Sequence, residues 1–260
     1  MTFRDVLTSV YCERPCQVLP NALWKTLPEV SSASCQTAVK QASNTITHLA
    51  LWDTQRLMVY WHRERGCTDH LLHHLEDVSF ALIHQDYLHS VPTTKFPHRQ
   101  AYFRLIHREP VKEKPSIPQG FRIAPVDIAR DIPNVAVFIG KCYAQLQPSK
   151  DAVRGWTEHP VFDQDLWVWI IDTQTDRPVG LGIAEMDWDI AEGSLEWIQV
   201  LPAYRGRGLG KTLVNELLFR LHDRAAFTTV AGEVNNQTNP EALYRSCGFV
   251  GNDLWWVLRA

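Results

Sequence analysis

The chain carries no surplus of positive charge. Its 26 Lys and Arg stand against 29 Asp and Glu, a formal net charge of −3. No long-range field therefore draws it to nucleic acid or to an anionic membrane surface. It also has no run near the ~18 apolar residues that a bilayer-spanning helix needs. Cysteine is thinly used: Cys12, Cys16, Cys35, Cys67, Cys142 and Cys247 include no CxxC pair. A chain of 260 residues buries enough surface to fold without disulfide staples. The opening MTFRDVLTSVYCERP is broken by Arg4, Asp5, Glu13 and Arg14 and lacks the apolar stretch of a signal peptide. The expectation is a cytoplasmic protein with reduced thiols, no nucleic-acid partner and no membrane partner. The 13 Gly and 15 Pro are scattered without a period, which excludes collagen-like and low-complexity chains. What the chain has in quantity is ring surface: ten Trp, ten Phe and seven Tyr, far too much for a disordered state.

The stretch 107–120, HREPVKEKPSIPQG, holds three prolines and a Lys/Glu cluster between two segments rich in periodic apolar residues. It reads as a linker. Two domains are expected, an uncharacterised N-terminal α/β domain at 1–117 and a second domain at 118–260. The first has 13 basic and 11 acidic residues, and the second 13 basic and 18 acidic. In the first half, 45–63 reads as two strands around a short turn, 68–84 as a helix and 100–107 as a strand. No internal repeat with the second half is evident by eye.

The second half alternates more clearly. Strands are expected at 121–125, 166–172, 178–187, 194–200, 226–234 and 253–258. Helices are expected at 131–143, 150–159, 211–221 and 239–247, the last ended by Gly248. This order predicts a mixed α/β, α+β-like fold with a central mixed sheet flanked by helices.

The most informative stretch is EWIQVLPAYRGRGLGKTLVNELL. A strand ending at Val200 leads through a loop with Gly206, Gly208 and Gly210 into a helix with one apolar face. Glycines free the backbone to approach a ligand, and unpaired N–H groups at a helix N-terminus hold phosphate. Arg205, Arg207 and Lys211 add positive charge. A Walker A loop needs Gly at 205, where Arg stands, although Gly210-Lys211-Thr212 is present. A dinucleotide fingerprint needs Gly at 211, where Lys stands. An ordinary glycine turn into a core helix is the bland alternative.

The wider pattern Arg205-x-x-Gly208-x-Gly210, after VxPxYRG, resembles the acyl-CoA-binding motif of the GNAT-type N-acetyltransferases. Downstream, Val234-Asn235 and then Asn239-x-x-Ala242-x-Tyr244-x-x-x-Gly248-Phe249 is similar to that superfamily's second signature. The resemblance covers roughly 119–260 and leaves the first ~115 residues unassigned. It implies a GNAT-like fold for the second domain and direct transfer of acetyl from acetyl-CoA, as cosubstrate, to an amine-bearing acceptor. It also implies site residues. Ile198 and Val200 would offer main-chain groups to the pantetheine arm, and the pyrophosphate would rest on the amides of Arg205, Gly206, Arg207, Gly208, Leu209, Gly210 and Lys211. Asn235 and Asn239 would contact the CoA arm, with Asn239 also capping the helix that begins at Pro240.

Tyr244 is the candidate general acid, because a phenol beside the sulfur can protonate a departing thiolate. An alkylammonium acceptor has a pKa near ~10.4 and must lose a proton before it attacks. Glu196 is the candidate base, expected on one strand face with Ile198 and Val200 by two-residue alternation. Glu185, Asp187 and Asp189 compete with it. The acceptor pocket is expected from the two helices before the strand pair and from Trp167, Trp169, Trp188 and Trp197. Most of those rings also read as core.

Cys67, His70 and His74 would share a face if 68–84 were helical, and His73 adjoins them. Their spacing matches no zinc module, and no metal is expected. Cys247 reads as a buried structural thiol. The remaining alternatives are a non-catalytic acyl-CoA-binding regulatory module and a nucleotide-binding protein using Gly210-Lys211-Thr212. The N-terminal half is compatible with a lid on the acceptor site, a homodimer contact or a dock for a protein substrate.

Overall fold

The computed structural model describes residues 1–143 and 146–260. The chain opens with helices α1 (Phe3–Glu13), α2 (Pro15–Val18) and α3 (Leu27–Val30). Strands β1 (Gln36–Ala42), β2 (Thr45–Trp52) and β3 (Arg56–His62) follow, then α4 (Leu71–Leu75), β4 (Phe80–His84) and β5 (His98–His107). After the Pro-rich stretch come β6 (Phe121–Pro125), α5 (Ile128–Cys142), α6 (Lys150–Trp156), β7 (Trp167–Asp172), β8 (Arg177–Asp187) and β9 (Glu192–Val200). The chain ends with α7 (Leu209–Leu221), β10 (Phe227–Glu233), α8 (Pro240–Ser246) and β11 (Val250–Arg259). Among the described residues no helix is long and apolar enough to cross a membrane.

The two compact units are not consecutive stretches of chain. One holds Met1–Ile106 together with Ala231–Glu241 and Val250–Ala260, and the other holds His107–Val230 and Ala242–Phe249. The cause is strand pairing: β11 lies antiparallel between β4 and β5, with Trp255 opposite His84 and Tyr102. The last strand of the chain thus completes the sheet of the first unit, a partnership no local pattern announces.

In the first unit the strand order is β1-β2-β3-β4-β11-β5, followed by the end of β10. A capping box starts α1: the Thr2 hydroxyl accepts from the Asp5 N–H, and the Asp5 carboxylate accepts from the Thr2 N–H. Val6, Leu7, Val10 and Tyr11 of that helix are buried. A second core gathers Leu57, Tyr60, Leu71, Leu75, Ala81, Ile83 and Leu258. The expected helix at 68–84 is a correction, because only Leu71–Leu75 is helical and Phe80–His84 is a strand. His70 enters α4 in the left-handed region (φ +62). Residues 80–84 are claimed by ladder bonds to β11 and to the start of β3.

In the second unit the order is β10-β9-β8-β7-β6. Only the β9–β10 pair is parallel. One sheet face carries α5, whose Ile132, Val135, Phe138 and Ile139 pack on Trp167, Trp169, Leu181 and Ile183. The other face carries α7. A side chain on Gly182 would meet Leu213 at 3.1 Å and Leu217 at 3.2 Å, so that helix lies close on the sheet. The expected strands and helices from 121 onward all form, each within a few residues of its expected bounds.

The first unit also buries histidine without acid. The His48 ring is 2% exposed and sits among Tyr60 (5.2 Å), His62 (6.0 Å) and His74 (6.3 Å, stacked). Burial pushes its pKa down to about 4, with His74, His62 and Lys40 adding repulsion. The folded pKa lies below the unfolded value of ~6.5, so the unfolded chain binds more protons between those two values. Stability is then full above ~6.5 and lost as pH falls toward 4. Thermal unfolding at a series of pH values should show a loss on the order of 2 kcal/mol across that window. His48→Phe should flatten the dependence. An equal slope in both proteins would refute the assignment.

Candidate active site

The site grows from the far end of β9. That strand pairs with β10 only over Glu192 to Leu195, opposite Phe227 to Val230. It then runs on to Val200 against β8 alone. One edge of residues 196–200 therefore carries no strand. Backbone donors and acceptors on such an edge can take an extended ligand as a further strand would be taken.

A register shift marks the same place. Trp197 lies opposite Ile183 and Leu195 opposite Ala184, leaving Glu196 as the extra residue of a bulge. This corrects the alternation argument. Leu195, Ile198 and Val200 face Ala184, Gly182 and Gly180 and so share the α7 side. Trp197 shares the α5 side with Leu181 and Ile183. Glu196, half-buried, stands at the break between the two patterns.

Beyond Val200 a short turn, Pro202–Tyr204, leads into the glycine loop. Gly206 (φ +76) and Gly208 (φ +79) are left-handed and open. A Cβ would meet nothing within 4 Å at Gly206, and only Pro118 at 4.0 Å at Gly208. Here glycine serves backbone conformation and ligand access rather than packing. Gly210 differs, because a side chain there would press on Leu243 of α8 at 3.2 Å. The Thr212 N–H bonds to the Gly208 carbonyl (3.0 Å), which leaves the N–H groups of Leu209, Gly210 and Lys211 as the first-turn donors outside the helix ladder. Gly208 supplies no capping side chain. Arg205, Arg207 and Lys211 are exposed around these donors. Arg205 folds back, donating from Nε to the Val200 carbonyl (3.2 Å) and from Nη2 to the Cys142 carbonyl (3.4 Å). Arg207 lies over the Tyr204 ring at 5.0 Å.

Tyr244 sits on α8, 7% exposed, with its ring edge-on to Phe249 at 5.7 Å. Burial holds its phenol well above the ordinary range, and Tyr143, Glu196 and Cys247 reinforce the shift. The group is a proton donor at neutral pH, not a phenolate. Gly248 (φ +92) ends α8 as expected, with the Phe249 N–H reaching back to the Tyr244 carbonyl (3.2 Å). Tyr143, which closes α5, was missed by sequence reasoning. Its phenol is likewise pushed up by burial, and Arg205 works against that shift. Outside both signatures, it gave no signal in the chain.

The other expected residues fall as follows. Asn235 and Asn239 are exposed and belong to the first unit, not to the unit of the loop. Asn239 immediately precedes α8 with Pro240 as its first residue, but at φ +46. Among the competing carboxylates, Glu185 accepts from the Ser194 hydroxyl (3.3 Å), and Asp187 accepts from the Asp189 N–H (3.0 Å). Trp167 and Trp169 are buried core rings, while Trp188 is 60% exposed beneath Arg224. Burial raises the Cys247 thiol, as a structural cysteine requires. The Thr212 hydroxyl is buried and donates to the Gly208 carbonyl (3.2 Å), so it is not presented to a nucleotide-bound Mg²⁺. The shared face expected for Cys67, His70 and His74 does not form, because α4 spans only Leu71–Leu75. Among the described residues no group of three or more His, Cys, Asp or Glu could hold a metal ion.

Comparison with known proteins agrees with this geometry. A family model described as acetyltransferase (GNAT) domain matches residues 163–251. No curated protein sequence matches the chain. Among solved structures, a GCN5-related N-acetyltransferase from Sphaerobacter thermophilus is 16% identical with a TM-score of 0.65, covering 84% of this chain and 77% of that one. A Drosophila protein is 15% identical with a TM-score of 0.64, covering 99% and 95%. A tandem GNAT protein from the clavulanic acid biosynthesis pathway is 12% identical with a TM-score of 0.57, covering 100% and 96%. At these identities the likeness is one of fold, and it extends over the N-terminal residues that the sequence left unassigned. The segment that carries the glycine loop, Glu196 and Tyr244 is a GNAT-type acetyltransferase domain, and through residues 163–251 the chain belongs to that superfamily.

Proposed function

We propose that the protein transfers an acyl group, acetyl in the first instance, from acyl-CoA directly to a primary amine. The observation that carries this reading is the unpaired β9 edge running straight into a left-handed glycine loop, with Glu196 and Tyr244 electrostatically coupled beside it. The edge is suited to the amide-bearing pantetheine arm, and the donors of residues 206–211 to the diphosphate. Arg205, Arg207 and Lys211 supply the countercharge.

In the chemistry, an ammonium acceptor gives its proton to Glu196, directly or through water, and the neutral amine attacks the thioester carbonyl. Backbone N–H groups of the β9 edge stabilise the oxyanion. As the tetrahedral intermediate collapses, the C–S bond breaks, and the Tyr244 phenol gives its proton to the thiolate and regains one from solvent. The high pKa of the buried phenol keeps it protonated for that role.

Three outcomes test the reading. Gly208→Val forces a β-branched residue into φ +79 where no packing is disturbed. Calorimetric titration with CoA should show affinity lost by more than ~10-fold while the thermal midpoint stays near wild type; unchanged affinity would discredit the loop. Tyr244→Phe should lower kcat by about 100-fold and leave CoA affinity intact, followed as thiol release; an untouched kcat removes the acid. Glu196→Gln should flatten the limb of the pH–rate profile that rises with pH, and an unaltered profile would move the base to another group.

A further inference from the structure

We propose that Trp156 and Trp197 form the platform that selects the acceptor, and that the acceptor is an arylalkylamine: one primary amine on a flat aromatic body. The inference rests on the acyl-transfer reading above and names its substrate class.

Trp197 is the residue next to the bulge, so its ring leaves the sheet beside the Glu196 carboxylate. On that face Trp156, the last residue of α6, lies flat against it, with centroids 5.2 Å apart and planes at 17°. Both rings stay half-open. By contrast, Trp167 and Trp169 on the same sheet face are 1% and 3% exposed. Two parallel indoles left partly uncovered beside a candidate base present a flat apolar surface. A third aromatic ring extends such a stack more favourably than a flexible alkyl chain does, because it brings the same contact area with fewer torsions to freeze.

The charges on this face set the number of ammonium groups. Glu185 is bonded to the Ser194 hydroxyl and Glu192 to the Thr229 hydroxyl (2.5 Å), and both are at least nine-tenths buried. Glu196 is the half-exposed carboxylate that adjoins the rings. One accessible carboxylate beside a flat platform suits a monoamine, whereas a polyamine would call for several.

The test uses the full chain with acetyl-CoA and four amines: 2-phenylethylamine, hexylamine, spermidine and glucosamine. Thiol release should give 2-phenylethylamine a kcat/KM about 10-fold above hexylamine, with the difference mainly in KM. Trp156→Leu should collapse that ratio toward one through KM, and Trp156→Phe should retain most of it. Trp156 ends a short helix, and circular dichroism with the thermal midpoint separates lost selectivity from lost fold. If Trp156→Leu unfolds, the same ratio is read on Trp197→Phe, which should lower it without abolishing it. Preference for spermidine, glucosamine or hexylamine over 2-phenylethylamine overturns the inference while leaving acyl transfer standing. So does an unchanged ratio in folded Trp156→Leu. If no amine turns over, acyl transfer falls, and calorimetric titration of 2-phenylethylamine into CoA-saturated protein decides the platform. Binding weakened about 10-fold by Trp156→Leu upholds it, and no binding ends it.

Discussion

One strand that outruns its neighbour is the constraint on which the site depends. β9 is held on both sides through Leu195 and on one side from 196 to 200. A buried strand edge without partners costs free energy at each orphaned donor and acceptor. The fold tolerates that cost only where something else supplies the missing bonds. The bulge at Glu196 falls at the first residue beyond the parting. A bulge adds twist and bends its strand, so the same local irregularity that re-aims a carboxylate also helps β9 leave β10. Strand divergence and candidate base are therefore one feature of the backbone.

The second constraint is how α7 begins. Two left-handed glycines with open surroundings bring the chain around, and a third lets α8 close on the first helical turn. The helix starts without a side-chain cap, which in most helices would be a defect. Here the uncapped donors and the three cations around them form a place for an anion. Tyr244 completes the picture from α8, the helix that touches Gly210 through Leu243. Loop and phenol are thus fixed relative to each other by one glycine contact.

Much of the second unit was legible in the chain. The alternation of 166–172 and 178–187, the Leu-rich stripe of α7 and the Gly248 stop are local signals, and each produced its element. The glycine loop and the Tyr244 signature were legible for the same reason, since phosphate-binding and helix-ending chemistry demand particular residues at particular spacings. What could not be read was decided by distant partners. β4 became a strand because β11, some 170 residues later, pairs with it. The bulge at Glu196 depends on the register of β8, so simple alternation put that residue on the wrong pattern. Tyr143 joins the phenol cluster only because α5 ends there. Selectivity is equally a matter of packing: nothing in the spacing of Trp156 and Trp197 reveals that their rings stack.

The central claim is that the free β9 edge and the glycine loop together receive an acyl-CoA. Amide hydrogen exchange, measured peptide by peptide with and without acetyl-CoA, addresses it most directly. The account predicts slowed exchange in 196–200 and 206–211 on addition of the thioester. Unchanged exchange in both segments under saturating acetyl-CoA, or protection confined to some other part of the chain, would contradict it.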